Sequence, residues 1–397
     1  MKVRKLQTII WTCSLLVSLP MFKYESRNPL AVVNGDYSNA IFGEIIVYFI
    51  LANIVIWMAL KSSLKIYNQS ILMLLPIFFG ITTFWSTTPL LTLVRASQLL
   101  ILMLLINILI AIFQQSLLEL TELYRTFNNF FITFNTILVL YSFIRPTFSS
   151  GGRLTYFNVH PIVSATVTGL VSIILVTMSI PKKFMLYRIL ILTLNLFFIF
   201  LNRSRGPLIA LIVVIILVIF TTRKFTISGK LQFLNLFMIV GIFVSAYALV
   251  SLQNYLARGE ELKNLNQLNG RIFLWTNLIR DNSIFTFLFG HGYGSERIAA
   301  FDVASWAGSS HSSWISYYYS GGITILLILF LMFLFTMHSG WKCRMKIPAM
   351  YPILFLTICS LTGDTFQIPN LITFGYFLYF AITLKERHSF RSVSIRN

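Results

Sequence analysis

Three short stretches hold the side chains best suited to chemistry: Arg203-Ser204-Arg205-Gly206-Pro207, Gly270-Arg271 with Arg280 nine residues on, and Gly290-His291-Gly292-Tyr293-Gly294 followed by His311. A guanidinium binds a phosphate through two parallel N–H bonds and keeps its charge in a poorly hydrated place, so a set of arginines suits a phosphorylated ligand. A glycine-rich turn lets backbone amides approach an anion closely. A neutral imidazole such as that of His311 can act as a base. Each feature also has a plainer reading. The arginines at 203 and 205 can be anchors that snorkel to an interface, those of the 252 to 312 segment can neutralise Glu260, Glu261, Asp281, Glu296 and Asp302, and His311 can be a structural histidine. No Lys-Ser/Thr pair follows the glycine turn, so it is not a nucleotide-binding P-loop.

The elements that must position these residues are apolar. The chain has 397 residues, of which 57% are hydrophobic and only 11% charged, and its mean hydropathy is +0.79. A soluble domain needs about 25% charged residues to cover its surface, so a soluble fold is excluded. A helix crosses hydrocarbon with about 20 apolar residues. Twelve such runs are legible, near 8–22, 41–60, 71–86, 97–113, 127–144, 162–180, 186–202, 206–222, 231–251, 313–337, 347–362 and 367–384. The expected fold is an all-α polytopic membrane protein, one integral membrane domain over 1–397, with a single large hydrophilic loop at about 252–312. The first run follows Met1-Lys-Val-Arg-Lys5 but lacks a small-x-small cleavage site, so it is read as a retained helix.

Cytoplasmic loops keep an excess of Lys and Arg. With both termini inside, the inner segments hold 19 basic residues and the outer ones 12, which favours that orientation and puts the 252–312 loop outside. Ten of the twelve outer basic residues are Arg, which suggests an anionic ligand on that face. The net charge of +19 fits this bias and attraction to anionic lipid, and does not call for nucleic acid. The three cysteines and the absence of CxxC or HExxH spacing argue against a metal site, and no cofactor is expected. In the loop, Asn269 can cap a helix starting at Gly270-Arg271, with Ile272, Trp275, Leu278 and Ile279 sharing one face.

In order along the chain, Arg203-Ser-Arg205-Gly206, Asn269-Gly-Arg271-Ile-Phe-Leu-Trp275, Phe289-Gly-His-Gly-Tyr-Gly294, His311-Ser-Ser-Trp314 and Ser320-Gly-Gly322 resemble the O-antigen ligase and O-antigen polymerase superfamily of bacterial inner-membrane glycosyltransferases. The resemblance is best over 195–340. Upstream it extends through Trp85-Ser-Thr-Thr-Pro89 ahead of Arg95, and through Gly152-Arg153 to Asn158-Val-His160-Pro161. Two departures bear on it. Ser312 stands where the loop histidine is commonly followed by Asn, which favours polymerase over ligase, and the Arg-ten residues-Gly spacing of some polymerases is not evident from Arg153, Arg203, Arg205 or Arg271.

The resemblance implies transfer of a glycan from undecaprenyl diphosphate, on the periplasmic face of the inner membrane, to a hydroxyl of a growing glycan or a lipid A core. It implies that Arg205 and Arg271 stabilise the leaving diphosphate in place of a metal ion, that Arg203 and Arg153 help, and that His311 deprotonates or orients the acceptor. Arg95, Arg280 and His160 are the remaining expected contacts to diphosphate or glycan. The rival class is a transporter or lipid-linked oligosaccharide flippase of twelve helices, which calls for internal symmetry and polar residues at midspan. Neither is legible in the sequence.

Overall fold

A computed structural model describes residues 3–22, 39–62, 70–113, 117–149, 152–157, 159–178, 181–221, 270–280, 283–304, 307–342, 347–363, 365–366 and 369–394. Among the described residues the protein is all-α apart from one small hairpin. In chain order the helices are α1 (Val3–Ser18), α2 (Asn39–Ser62), α3 (Ser70–Ile81), α4 (Pro89–Ile112), α5 (Leu117–Ile144), α6 (Pro161–Thr177), α7 (Met185–Asn202), α8 (Arg205–Thr221), α9 (Arg271–Arg280), α10 (Ile284–Phe289), α11 (Glu296–Val303), α12 (Ser313–Lys342), α13 (Met350–Leu361) and α14 (Leu371–Ser394). Strands β1 (Thr147–Ser149) and β2 (Arg153–Thr155) pair antiparallel between α5 and α6, with Phe148 opposite Leu154.

Eleven of the twelve apolar runs carry a helix; the ninth, near 231–251, and the capping position Asn269 lie outside the described residues. Among the described residues, five helices are long and apolar enough to cross a membrane: Gly43–Leu60, Pro89–Ile112, Leu120–Ile144, Met185–Asn202 and Ser313–Gly340. Others are shorter than the sequence runs suggest. Apolar α3, for instance, runs through Pro76 to Ile81 and gives way to a 3-10 turn at Thr82–Phe84.

Burial sorts the helices into centre and rim. Residues 164–175 of α6 and 371–383 of α14 are buried along their whole circumference, and α13 packs between these two helices. On the rim, α2 exposes Ile46, Phe49, Ile56 and Leu60, α7 exposes Leu186, Leu190, Phe197 and Phe200, and α12 exposes Leu327, Phe330, Leu331 and Leu334. An exterior so apolar matches hydrocarbon and not water; the protein is membrane-embedded.

The interior is less uniformly apolar than the sequence suggests. Midway along three helices, Asn135 of α5 donates to Asn195 of α7 at 3.0 Å, and Asn195 donates to Ser172 of α6 at 3.4 Å. The Tyr156 hydroxyl joins the same group through Asn135 and Thr168. The expectation of no midspan polar residues is therefore corrected. Single amides inside long apolar runs are hard to notice in sequence, yet in hydrocarbon they must find partners, and here they find one another.

Separate sets of polar contacts mark the two ends of the bundle. At one, Thr221 bonds Tyr351 at 2.7 Å, the Ile347 amide donates to Glu386 at 3.0 Å, and Arg188 reaches the Val176 carbonyl at 2.9 Å. At the other end lie the β hairpin, the α7–α8 turn, the segment 283–313 and the 362–366 turn.

Candidate functional site at one end of the bundle

The α7–α8 turn is as tight as its sequence implies. Helix α7 ends at Asn202, Arg203 takes a left-handed conformation (φ 54°, ψ 32°), and α8 starts at Arg205. Buried Asn202 fixes the turn by donating to the Leu154 carbonyl at 2.7 Å and to Ser164 Oγ at 3.0 Å, while Ser204 bonds the Asn202 side chain. Arg153 completes the arrangement, with Nε on the Asn202 carbonyl at 3.2 Å and Nη2 on Ser204 Oγ at 2.8 Å. Its fork thus holds the turn that carries Arg203 and Arg205. Arg203 is exposed; Arg205 is half-buried, with Nε and Nη2 shielded from solvent.

A turn that the sequence reading passed over gathers the other residues. Helix α13 ends in Thr362-Gly363, and a Cβ on Gly206 would stand 2.5 Å from Thr362 Oγ1, so the first turn of α8 lies directly on Thr362. Arg271, the first residue of α9, donates from Nη1 to the Thr362 carbonyl at 2.7 Å. Ser313, at the start of α12, donates to the Gly363 carbonyl through its amide at 3.2 Å and its hydroxyl at 3.1 Å, and its hydroxyl accepts from the Thr365 amide at 2.8 Å. His311 precedes it by two residues and has a left-handed backbone (φ 56°). Arg271 thus bonds Thr362 directly, Arg205 adjoins Gly206, which packs on Thr362, and His311 lies two residues before Ser313, which bonds Gly363. No charged or aromatic signature marked Thr362, Gly363 or Ser313; they matter through carbonyls and a hydroxyl.

His160 sits at the edge of this group. Its Nδ1 accepts the Ile162 amide at 3.3 Å and caps α6, and Ile162 packs against Gly363, where a Cβ would lie 3.0 Å from Ile162 Cγ2. In this bond His160 acts as a helix cap.

Arg280 is not brought to the group. It occupies the exposed far end of α9, about 14 Å from Arg271 along the axis at 1.5 Å per residue. The face expected for this helix also shifts. Leu274 and Leu278 are buried, against Ala300 and Ala307, whereas Ile272 and Ile279 are more than 40% exposed. The register is set by α11, which packs on one flank of α9.

Arg95 has a protein carboxylate. Its Nη1 lies 2.9 Å from Glu44 Oε2 of α2 and 2.9 Å from Gln98 Oε1, all three residues being buried. Glu44 escaped notice as a partner because it falls inside an apolar run. A buried guanidinium demands a counter-charge, and this pair supplies it within the bundle, so Arg95 is engaged here as a structural cation.

The glycine turn also differs from its expected role. His291 and Gly292 donate their amides to the carbonyls of Tyr319 and Ser320, at 2.8 and 3.0 Å. A Cβ at Gly290 (φ 71°) would stand 2.4 Å from the Gly321 nitrogen, and one at Gly322 (φ 66°) would stand 2.3 Å from the Leu288 carbonyl carbon. The glycines let two backbones touch where α12 breaks at Gly322, so these amides bind chain and not anion. His291 stacks on Tyr319 with centroids 4.3 Å apart, and burial lowers its pKa below the ordinary imidazole value, which keeps it neutral.

Glu296, expected among the acids that neutralise arginines, is fully buried and accepts the Ser310 amide at 2.6 Å. No protein-family model and no curated protein matches this chain.

Proposed function

We propose that the protein is a bacterial inner-membrane glycosyltransferase of the O-antigen polymerase and ligase type, acting on a glycan carried by undecaprenyl diphosphate. The observation that supports this reading is that Arg271, the Gly206 next to Arg205 and the Ser313 two residues after His311 all contact Thr362 or Gly363. In the proposed reaction an acceptor hydroxyl attacks the anomeric carbon in line, the carbon–oxygen bond to the diphosphate breaks, and configuration inverts. Arg205 and Arg271 stabilise the charge that grows on the departing diphosphate, with Arg203 nearby and Arg153 holding the turn. His311 takes the acceptor proton. The step needs no divalent ion if the two guanidinium groups supply the counter-charge.

Polymerase is preferred over ligase on the strength of Ser312. A deletion strain tests the choice. Surface glycans cut to a single repeat mark a polymerase; bare lipid cores with carrier-linked chains accumulating mark a ligase.

The proposed topology has twelve spans, both termini in the cytoplasm and the 252–312 loop in the periplasm. Gly308 gives a clean reporter, being exposed with open space around a Cβ. In a chain whose native cysteines are replaced by serine, Gly308→Cys should react with an impermeant thiol reagent in intact spheroplasts and Ser389→Cys should not. The opposite pattern would put the arginine cluster in the cytoplasm and remove the periplasmic reaction.

A lipid-linked glycan flippase is the second reading, favoured by the buried Asn135, Asn195 and Tyr156 group, since a transport path needs polar residues at midspan. Those residues bond to one another and to Ser172 and Thr168, which suits a structural network better than a path.

A further inference from the structure

The backbone at His311 is sterically unfavoured for a residue with a Cβ, since φ is 56°. Such conformations persist where their surroundings over-determine them. Here the surroundings form a closed ring. Trp275 Nε1 donates to the Ser310 carbonyl at 2.7 Å, which fixes the peptide plane entering His311. Beyond His311, the Ser313 amide and hydroxyl are tied to the Gly363 carbonyl. The neighbouring Thr362 carbonyl accepts from Arg271 at 2.7 Å, and Arg271 stands one helical turn before Trp275 on the same face of α9. The ring thus passes from Arg271 through Thr362, Gly363, Ser313, His311, Ser310 and Trp275 back to Arg271.

Glu296 buttresses the ring from outside. Its carboxylate lies in the first turn of α11, where the helix's own amides are available to it, yet it reaches across to the Ser310 amide at 2.6 Å. With the amide of Ser310 bound to α11 and its carbonyl bound to α9, both peptide planes flanking this residue are anchored to different helices. A bond to a carboxylate is among the stronger ones available for that purpose.

We propose that Glu296 and Trp275 are positioning residues that set the separation and direction of His311 relative to Arg271. The proposal rests on the reading of His311 as the base acting on the acceptor. A base displaced by about 1 Å can lose about a hundredfold in rate while the substrate still binds, so the expected signature is in kcat.

The test uses the purified full-length protein. Glu296→Ala and Trp275→Phe, the latter removing the indole N–H while keeping a ring, should each lower kcat about ten- to a hundredfold, with KM for the lipid-linked donor within a few-fold of wild type. Glu296→Gln, whose amide oxygen still accepts from Ser310, should stay close to wild type. Hydrogen exchange over residues 308–313 gives a readout independent of turnover. It should accelerate in Glu296→Ala and Trp275→Phe and remain slow in Glu296→Gln. Wild-type kcat in both Glu296→Ala and Trp275→Phe, or unchanged exchange in both, would overturn the proposal. A wild-type protein that forms no glycosidic bond would instead overturn the functional reading, and the exchange result would still decide whether the ring is held as described.

Discussion

Arg205→Ala and Arg271→Ala should each lower glycan transfer by at least about two orders of magnitude, the usual loss when one donor to a developing negative charge is deleted. The two residues approach Thr362 from different helices, Arg205 through its neighbour Gly206 and Arg271 through a direct bond to the carbonyl. Lysine recovers little at either position, because a rigid fork of donors is replaced by a hydrated point charge on a flexible stem. At 271 the guanidinium can hold the Thr362 carbonyl through one nitrogen and present the rest of its fork to the ligand, whereas lysine has a single nitrogen for both. Arg280 is the internal control. It lies at the opposite, exposed end of the same helix, and Arg280→Ala should transfer at a rate near wild type. Transfer assays on the five proteins decide the matter; near-normal activity in both lysine variants would reduce Arg205 and Arg271 to helix-end anchors.

His311→Ala should severely slow transfer yet leave binding of the lipid-linked donor within a few-fold of wild type. A base that takes the acceptor proton acts in the transition state, so its loss falls on kcat and not on donor affinity. His311 belongs to the loop entering α12, whereas Arg205 and Arg271 begin α8 and α9, so base and diphosphate can face each other across the anomeric carbon. Alanine should keep the local fold, since the side chain of His311 has no part in the bonds that anchor Ser310 and Ser313. Donor binding by isothermal titration alongside single-turnover transfer separates the two effects. A parallel fall in donor affinity would move His311 to the diphosphate side of the site.

Much of the fold was legible because its signal is long. Apolar runs of fifteen or more residues announce helices whatever their neighbours, and those described coincide with helices. The tight turn at 203–205 was also readable, since two apolar runs separated by so few residues leave the chain no room for a loop. What escaped was pairwise. Glu44 looked like one stray acid in an apolar run until α2 met α4 and Arg95. Asn135 and Asn195 lie 60 residues apart and become a bonded pair only when α5 and α7 pack. The glycine turn at 290–294 was recognised as unusual backbone, but glycine serves close approach of backbone as readily as approach of an anion, and only contact with Gly321 and Gly322 distinguishes them. Thr362, Gly363 and Ser313 carry no charge and offer carbonyls and a hydroxyl, groups found throughout the chain. Side-chain type pointed to the chemistry, while the scaffold that brings it together is built largely from backbone.

A chain that makes a glycosidic bond at the expense of a polyprenyl diphosphate linkage must yield two products together. The most direct measurement reconstitutes the purified protein in proteoliposomes with an undecaprenyl-diphosphate-linked glycan, an acceptor glycan and excess chelator, and follows both the glycan product and the released lipid diphosphate by mass spectrometry. The expected result is a lengthened or transferred glycan with inverted anomeric configuration, one released undecaprenyl diphosphate per bond formed, and no requirement for a divalent ion. Movement of the lipid-linked glycan across the bilayer with no new glycosidic bond would contradict it.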